Sequence, residues 1–309
     1  LRKIYLFFCF TISFVFTSPI YAQVEDKKIL YQRFENQYAA GDLVNAEKSL
    51  ILFLESKVPL NTEQLVAAYS NLGALNILLG KYDEALKYNI KAETYITDKQ
   101  HSYKILGTVY LNKARILTLK KSYDSAIEYF EKGIRLLSKL KDSDTDIFKS
   151  LSSAYLNFGI TYYSLNDFKL AQKYLEESAD LRIKYNLPGI AFVYLNLAKT
   201  YLKIDNRIKA EAFYLKSISS FKIEFGDEYY RIAEVYLDYG LFLRSERKIA
   251  EALNVHRKAL SICLKNYGDK HTLVSLSYKH VSDDYVYLNK LDSALYYIQK
   301  SLISVVNDF

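Results

Sequence analysis

Three residue types recur in fixed register along this chain, and that register limits its fold more than any other feature. Seven alanines, Ala46, Ala85, Ala126, Ala171, Ala210, Ala252 and Ala294, follow one another at intervals of 39, 41, 45, 39, 42 and 42 residues. Sixteen residues before each of the last six stands a tyrosine: Tyr69, Tyr110, Tyr155, Tyr194, Tyr236 and Tyr278. Twelve residues before each stands a small residue: Gly73, Ala114, Gly159, Ala198, Gly240 and Ser282. In the Tyr69–Ala92 stretch, Tyr69, Leu72 and Gly73 share one helical face and Ala85 and Ala92 share another, with a break at Gly80-Lys81. Small residues at Gly73 and Ala85 let two antiparallel helices approach closely. The chain therefore reads as a tandem array of helical hairpins. The copy around Ala46 is the weakest, with Leu30 and Phe34 in the tyrosine and small columns, but Gly41 still marks a turn and Ala46, Leu50 and Phe53 keep the period. Terminal repeats are expected to be atypical because one of their faces meets solvent.

Composition agrees. The 309 residues include only ten Gly and three Pro but 30 Tyr, which favours long helices over a turn-rich β protein. The net charge is +7; without Arg2 and Lys3 it is +5, and the remaining Lys and Arg are interleaved with Asp and Glu. No basic stripe of the kind nucleic acid requires is present. Of the two cysteines, Cys9 and Cys263, the first falls in the N-terminal apolar segment, so cysteine usage does not define the redox compartment.

Leu1 to Ala22 has a basic start, an apolar core from Ile4 to Phe16, then Thr17-Ser18-Pro19 and Ala22 before Gln23. This order is that of a secretory signal peptide over residues 1–22. The alternative is an uncleaved anchor, since Ile4 to Ala22 is nearly long enough to span a bilayer. Either reading places the body of the protein, 23–309, in an exported setting, periplasmic or extracellular.

The tyrosine, small and alanine columns resemble the tetratricopeptide repeat, a 34-residue helix–turn–helix unit in which an aromatic, a small residue and an alanine have this spacing. The likeness covers about Lys27 to Ser301, with units near 27–60, 66–99, 107–140, 152–185, 191–224, 233–266 and 275–308. It implies an all-α, right-handed α-solenoid of about seven stacked hairpins that binds proteins or peptides in a concave groove lined by the first helices, with no cofactor. The units exceed 34 residues, and the extra length is expected between one unit's second helix and the next unit's first. Phe225-Gly226-Asp227-Glu228-Tyr229 and Tyr267-Gly268-Asp269-Lys270-His271 punctuate two such joints. There glycine is expected to end one helix in the left-handed region and aspartate to start the next. Val58-Pro59, Asp142-Ser143-Asp144 and Pro188-Gly189 punctuate others. Lengthened units with aromatic-Gly-Asp joints are similar to those of kinesin light chain and, more so, to those preceding caspase-like CHAT domains in bacterial proteins.

Two residues after each column tyrosine stand Asn71, Asn112, Asn157, Asn196, Asp238 and His280. Asparagine is a poor helix-interior residue whose amide both donates and accepts. The resemblance gives this register the role of holding an extended ligand; the competing role is bonding between neighbouring helices. Arg115, Lys199 and Arg244, with Lys203 nearby, lie further along the same face and suit an acidic peptide, while Glu234, Asp238 and Asp283 change the sign toward the C-terminal end. The residue after each column tyrosine is Ser70, Leu111, Leu156, Leu195, Leu237 or Lys279, which disfavours the carboxylate clamp of the family's chaperone-binding members.

Enzyme signals are poor. Gly73 and Gly80-Lys81 do not have phosphate-loop spacing, and no metal-ligand spacing occurs. His256 and Cys263 lie about 10 Å apart along one helix and read as packing and surface residues. His101 and His271 lie near joints. At the C-terminus Leu295, Ile298, Leu302 and Val305 recur at helical spacing up to Val306, and no polar capping helix follows. This predicts either dimerisation through that end or a longer protein with an effector domain downstream. The leading expectation is an exported docking or sensing arm of a CHAT-type effector. The alternatives are a free-standing periplasmic adaptor or the sensory repeats of a membrane-bound signalling protein.

Overall fold

The computed structural model describes residues 23–56, 59–96, 103–140 and 145–305. The expected signal segment with Arg2, Lys3 and Cys9 lies outside the described residues, as do Val58, His101, the Asp142–Asp144 joint and Val306–Phe309. Fourteen helices make up the described residues, paired into seven hairpins, with no strand among them. They fall into two compact units, residues 1–185 and 186–309.

The first unit holds α1 (Gln23–Ala39), α2 (Leu43–Leu54), α3 (Thr62–Leu78), α4 (Tyr82–Thr94), α5 (Tyr103–Leu119), α6 (Tyr123–Ser138), α7 (Thr145–Ser164) and α8 (Phe168–Lys184). The second holds α9 (Ile190–Lys203), α10 (Arg207–Phe225), α11 (Tyr230–Ser245), α12 (Ile249–Tyr267), α13 (Thr272–Tyr287) and α14 (Leu291–Ile303). In the first unit α3 also packs on α5 and α5 on α7; in the second α11 packs on α13. Second helices make no comparable contact with one another, so in each unit the first helices form the inner layer.

All seven column alanines are buried. Five residues before each, the chain turns through a positive φ: Gly41, Gly80, Lys121, Asn166, Asp205, Arg247 and Asn289. The following amide reaches back five residues, as Lys81 N to Asn76 O at 2.8 Å and Lys248 N to Leu243 O at 2.9 Å, closing the first helix with a Schellman turn. Such a turn reverses the chain within three residues and seats the alanine against the small column.

The joints differ from expectation in two ways. The extra residues mostly lengthen helices: α7 starts at Thr145 rather than near 152, and α10 and α12 run to Phe225 and Tyr267. Apolar spacing persists there, because Phe221 is buried and Phe225 stacks on Tyr229 at 4.3 Å. Gly226 and Gly268 do have positive φ (88° and 71°), but ψ near 180° puts them in the extended mirror region rather than the left-handed helical one. Asp227 does not cap α11, whose N-cap is Tyr229; it pairs with Lys222 at 2.8 Å. α13 is capped by His271, whose Nδ1 accepts from Leu273 N at 3.1 Å, rather than by Asp269.

Candidate functional site

The residue two positions after each column tyrosine lies on the inner-layer helix of its hairpin, and the two units treat it differently. In the first unit, Asn71 is buried and its Nδ2 donates to the Tyr31 hydroxyl at 3.0 Å, while its Oδ1 has no partner. Asn112 is fully buried with neither Nδ2 nor Oδ1 bonded. Asn157 is half-buried and donates to Ser153 O at 2.9 Å in its own helix. The neighbouring Ser70 hydroxyl is also buried without a partner. Buried amides are normally satisfied, and an unpaired one costs roughly 1–3 kcal/mol. The unpaired groups on α3 and α5 are closed off from solvent, so they are unused polar capacity inside the hairpins rather than an open binding surface. Arg115 lies half-buried one turn further along α5.

In the second unit, Asn196 donates to Phe192 O at 2.8 Å within α9. The remaining positions are charged and matched. Lys199 meets Asp238 at 2.7 Å, so the cation expected to favour an acidic ligand is neutralised by the next first helix. Arg244 Nη1 lies 3.2 Å from Asp284 and 3.6 Å from Asp283, and its guanidinium sits over the Tyr287 ring. Lys279 pairs with Asp283 at 3.0 Å. Lys203 is exposed.

His280 leaves the amide pattern altogether. Its ring stacks on His256 at 5.1 Å and Arg244 Nη2 approaches its Nδ1 at 3.4 Å. Burial, then the neighbouring His256 and Arg244, press its pKa down to about 4. His256 is fully buried, with Nδ1 on the fully buried Asp284 carboxylate and Nε2 facing Leu237 O at 3.3 Å. The expectation that His256 and Cys263 are ordinary packing and surface residues is thus corrected for His256, which anchors a buried polar network. Cys263 is fully buried, and burial pushes its thiol pKa up; Ser277 Oγ donates to its sulfur at 3.5 Å.

The network left a trace in the sequence. Four residues after the column alanine the chain places Phe130, Leu175, Tyr214 and Ile298, but also Asn89 and His256. Asp284 similarly replaces the apolar or threonine residues Leu75, Ile116, Thr161, Thr200 and Phe242 of its column. Two polar intrusions into core columns of adjoining hairpins were the available signal. Among the described residues no group of three or more His, Cys, Asp or Glu side chains is placed to hold a metal ion, and no helix is long and apolar enough to cross a membrane.

The family model described as Tetratricopeptide repeat matches residues 64–139, 150–223 and 231–302. No curated protein matches the sequence. Among solved structures, the chain is similar to a signal transduction ATPase with numerous domains and a tetratricopeptide repeat sensor from Pyrococcus horikoshii (TM-score 0.70, 16% identity, covering 91% of this chain and 42% of that one). It is also similar to RapI in its apo form (TM-score 0.65, 15% identity, 90% and 97% covered). A third is BtubC (BKLC) from P. vanneervenii (TM-score 0.59, 16% identity, 80% and 91% covered). At these identities the likeness concerns the fold.

Proposed function

The chain belongs to the tetratricopeptide repeat family, and from that premise we propose that its first-helix face binds an extended protein or peptide segment. As an all-helical repeat scaffold without catalytic motifs, it works by holding a partner rather than by chemistry. The observation that carries the reading is the recurrence of asparagine in one register of the inner-layer helices, where Asn157 and Asn196 are partly exposed and Asn112 is buried beside them. An asparagine amide can both donate to and accept from a peptide backbone. Asn71, Asn157 and Asn196 in the same register, with Asp238, His280, Arg115, Lys199 and Arg244 beside them, complete the proposed contact set. Because Lys199 and Arg244 already face carboxylates, the preferred ligand is neutral along its backbone rather than strongly acidic. Pull-down from the exported fraction with Asn112, Asn157 and Asn196 replaced together by Ala tests this. Capture undiminished, with helical content intact, removes the ladder as the binding element.

The cellular setting belongs to the same proposal. The basic, apolar and small-residue order of Leu1–Ala22 supports export. The lengthened repeats support a docking or sensing arm of a larger effector of the CHAT-associated kind. The likeness to a repeat sensor that is part of a larger ATPase supports the arm, though not that effector. Leu291, Leu295 and Leu302 on α14 and Val305 just after it are each more than half exposed. The preceding hairpin buries Leu260 and Cys263, which correspond to Leu302 and Val305. A further helix or a second copy would cover that face. The alternative is a free-standing periplasmic adaptor or the sensory repeats of a membrane-bound protein. Reading the gene past Phe309 separates these: a strand–helix region carrying His and Cys supports the effector, and a stop codon supports the adaptor.

A further inference from the structure

The His256–Asp284 network adjoins the C-terminal end of the asparagine register and shares His280 and Arg244 with the proposed contact set, but its role in packing the last two hairpins does not depend on a ligand. In the other hairpins, the second with its Asn89 excepted, the helix pair is closed at the same register by side chains such as Phe130 and Tyr214. Between α11, α12 and α13 a polar cluster replaces them. α12 contributes His256, α13 contributes His280, Asp283, Asp284 and Lys279, and α11 contributes Arg244. Gly240 on α11 leaves the space His256 occupies, since a Cβ there would lie 2.2 Å from His256 Nε2.

His280 has a defined protonation requirement in this arrangement. Arg244 has only hydrogens to offer, so its approach at 3.4 Å requires a lone pair on His280 Nδ1. A neutral ring with its proton on Nε2 meets that requirement. A second proton would turn the acceptor into a donor facing a guanidinium, and would place a new cation against the His256 ring 5.1 Å away. Asp283, 3.9 Å from Nδ1, opposes this, and it is shared with Lys279 and Arg244; the second carboxylate of the cluster, Asp284, is engaged by His256 and Arg244.

We propose that the docking of α13 onto α11 and α12 is an acid-sensitive joint, in which protonation of His280 loosens the seventh hairpin from the sixth. His280 binds its proton more weakly in the folded chain (about 4) than its ordinary value of 6.5. The unfolded or opened form therefore takes up the proton first. The joint keeps its full stability above about 6.5 and loses it progressively as pH falls from there toward about 4.

Hydrogen exchange of the full chain at pH 7.5 and 5.0, corrected for the intrinsic pH dependence of exchange, tests the joint. The opening equilibrium of α13 is expected to rise by up to about thirty-fold, with α3–α6 as the internal reference. His280→Phe keeps the stack without a titratable nitrogen, and His280→Asn keeps an acceptor for Arg244; both are expected to abolish the rise. His271→Asn, which preserves the cap of α13, is expected to leave it in place. An unchanged α13 in the wild type overturns the proposal, as does a rise that survives His280→Phe or disappears with His271→Asn. Should both His280 variants unfold at pH 7.5, the wild-type imidazole nitrogen shifts decide. A neutral His280 ring at pH 6 supports the joint, and an imidazolium overturns it.

Discussion

His256 makes Gly240 irreplaceable in a way that Gly73 is not. A methyl at Gly240 would collide with a ring held at one end by Asp284 and at the other facing Leu237 O. A methyl at Gly73 would meet Asn89 Nδ2 at 3.0 Å, and neither end of that amide is bonded. Gly240→Ala is therefore expected to cost about 2–3 kcal/mol and Gly73→Ala about 1 kcal/mol or less, compared by urea denaturation. The turn column offers the opposite sign. Arg247 carries a side chain at φ 60°, in the region that glycine occupies without penalty at Gly80. Arg247→Gly is expected to raise stability by about 0.5–1 kcal/mol despite the greater freedom glycine has when unfolded. A loss of stability there would show that the Arg247 side chain contributes more than its backbone strain costs.

Each hairpin is fastened by more than its alanine. In five of the seven the residue three after the alanine is aromatic and faces the column tyrosine: Tyr69–Tyr88 at 6.4 Å, Tyr110–Tyr129 at 5.6 Å, Tyr155–Tyr174 at 6.1 Å, Tyr194–Phe213 at 5.6 Å and Tyr278–Tyr297 at 6.1 Å. Three residues further along, Lys91, Lys132 and Lys216 lie over rings of these pairs. In the last six hairpins the position seven residues after the alanine is small, and where it is serine the hydroxyl bonds a carbonyl 26 residues back. Ser178 reaches Ser152 O at 2.6 Å, Ser217 reaches Ala191 O at 2.8 Å and Ser301 reaches Ser275 O at 2.8 Å. These bonds tie the end of the second helix to the start of the first, where close approach leaves room for nothing larger. Ser217→Ala is expected to lower stability by about 1 kcal/mol, with faster exchange at the N-terminal end of α9. Ser217→Val should cost more, because its added bulk has no space.

Over the molecule as a whole, charge is matched between consecutive hairpins rather than gathered. Lys81 pairs with Glu47, Lys120 with Asp83, Arg207 with Glu246, Lys248 with Glu211 and Lys265 with Glu228. These partners lie 34 to 39 residues apart. Exposed pairs of this kind add little stability each, but among the described residues they leave no concentrated positive strip to displace counterions from a polyanion. Despite the net charge of +7, a labelled duplex is expected to show no binding at physiological salt by fluorescence anisotropy. A steep salt dependence with measurable affinity would contradict that.

The sequence determined the repeat by itself, because tyrosine, small and alanine columns answer a local requirement met identically in every hairpin. Hairpin number, turn positions and the closing alanine follow from spacing along one stretch of chain. It also marked the first-helix register of Asn71, Asn112, Asn157 and Asn196, whose periodicity needs no knowledge of neighbours. What those side chains touch was decided in three dimensions. Asn71 finds Tyr31, 40 residues away, while Asn112 finds no partner. Lys199 and Arg244 look basic in sequence, yet each meets a carboxylate on the next first helix. His256, apparently one more packing residue, becomes the centre of a buried network only when α13 brings Asp284 and His280 against it. Helical periodicity is written in neighbouring residues, whereas the pairing of charges and amides depends on which turns of different helices packing sets side by side.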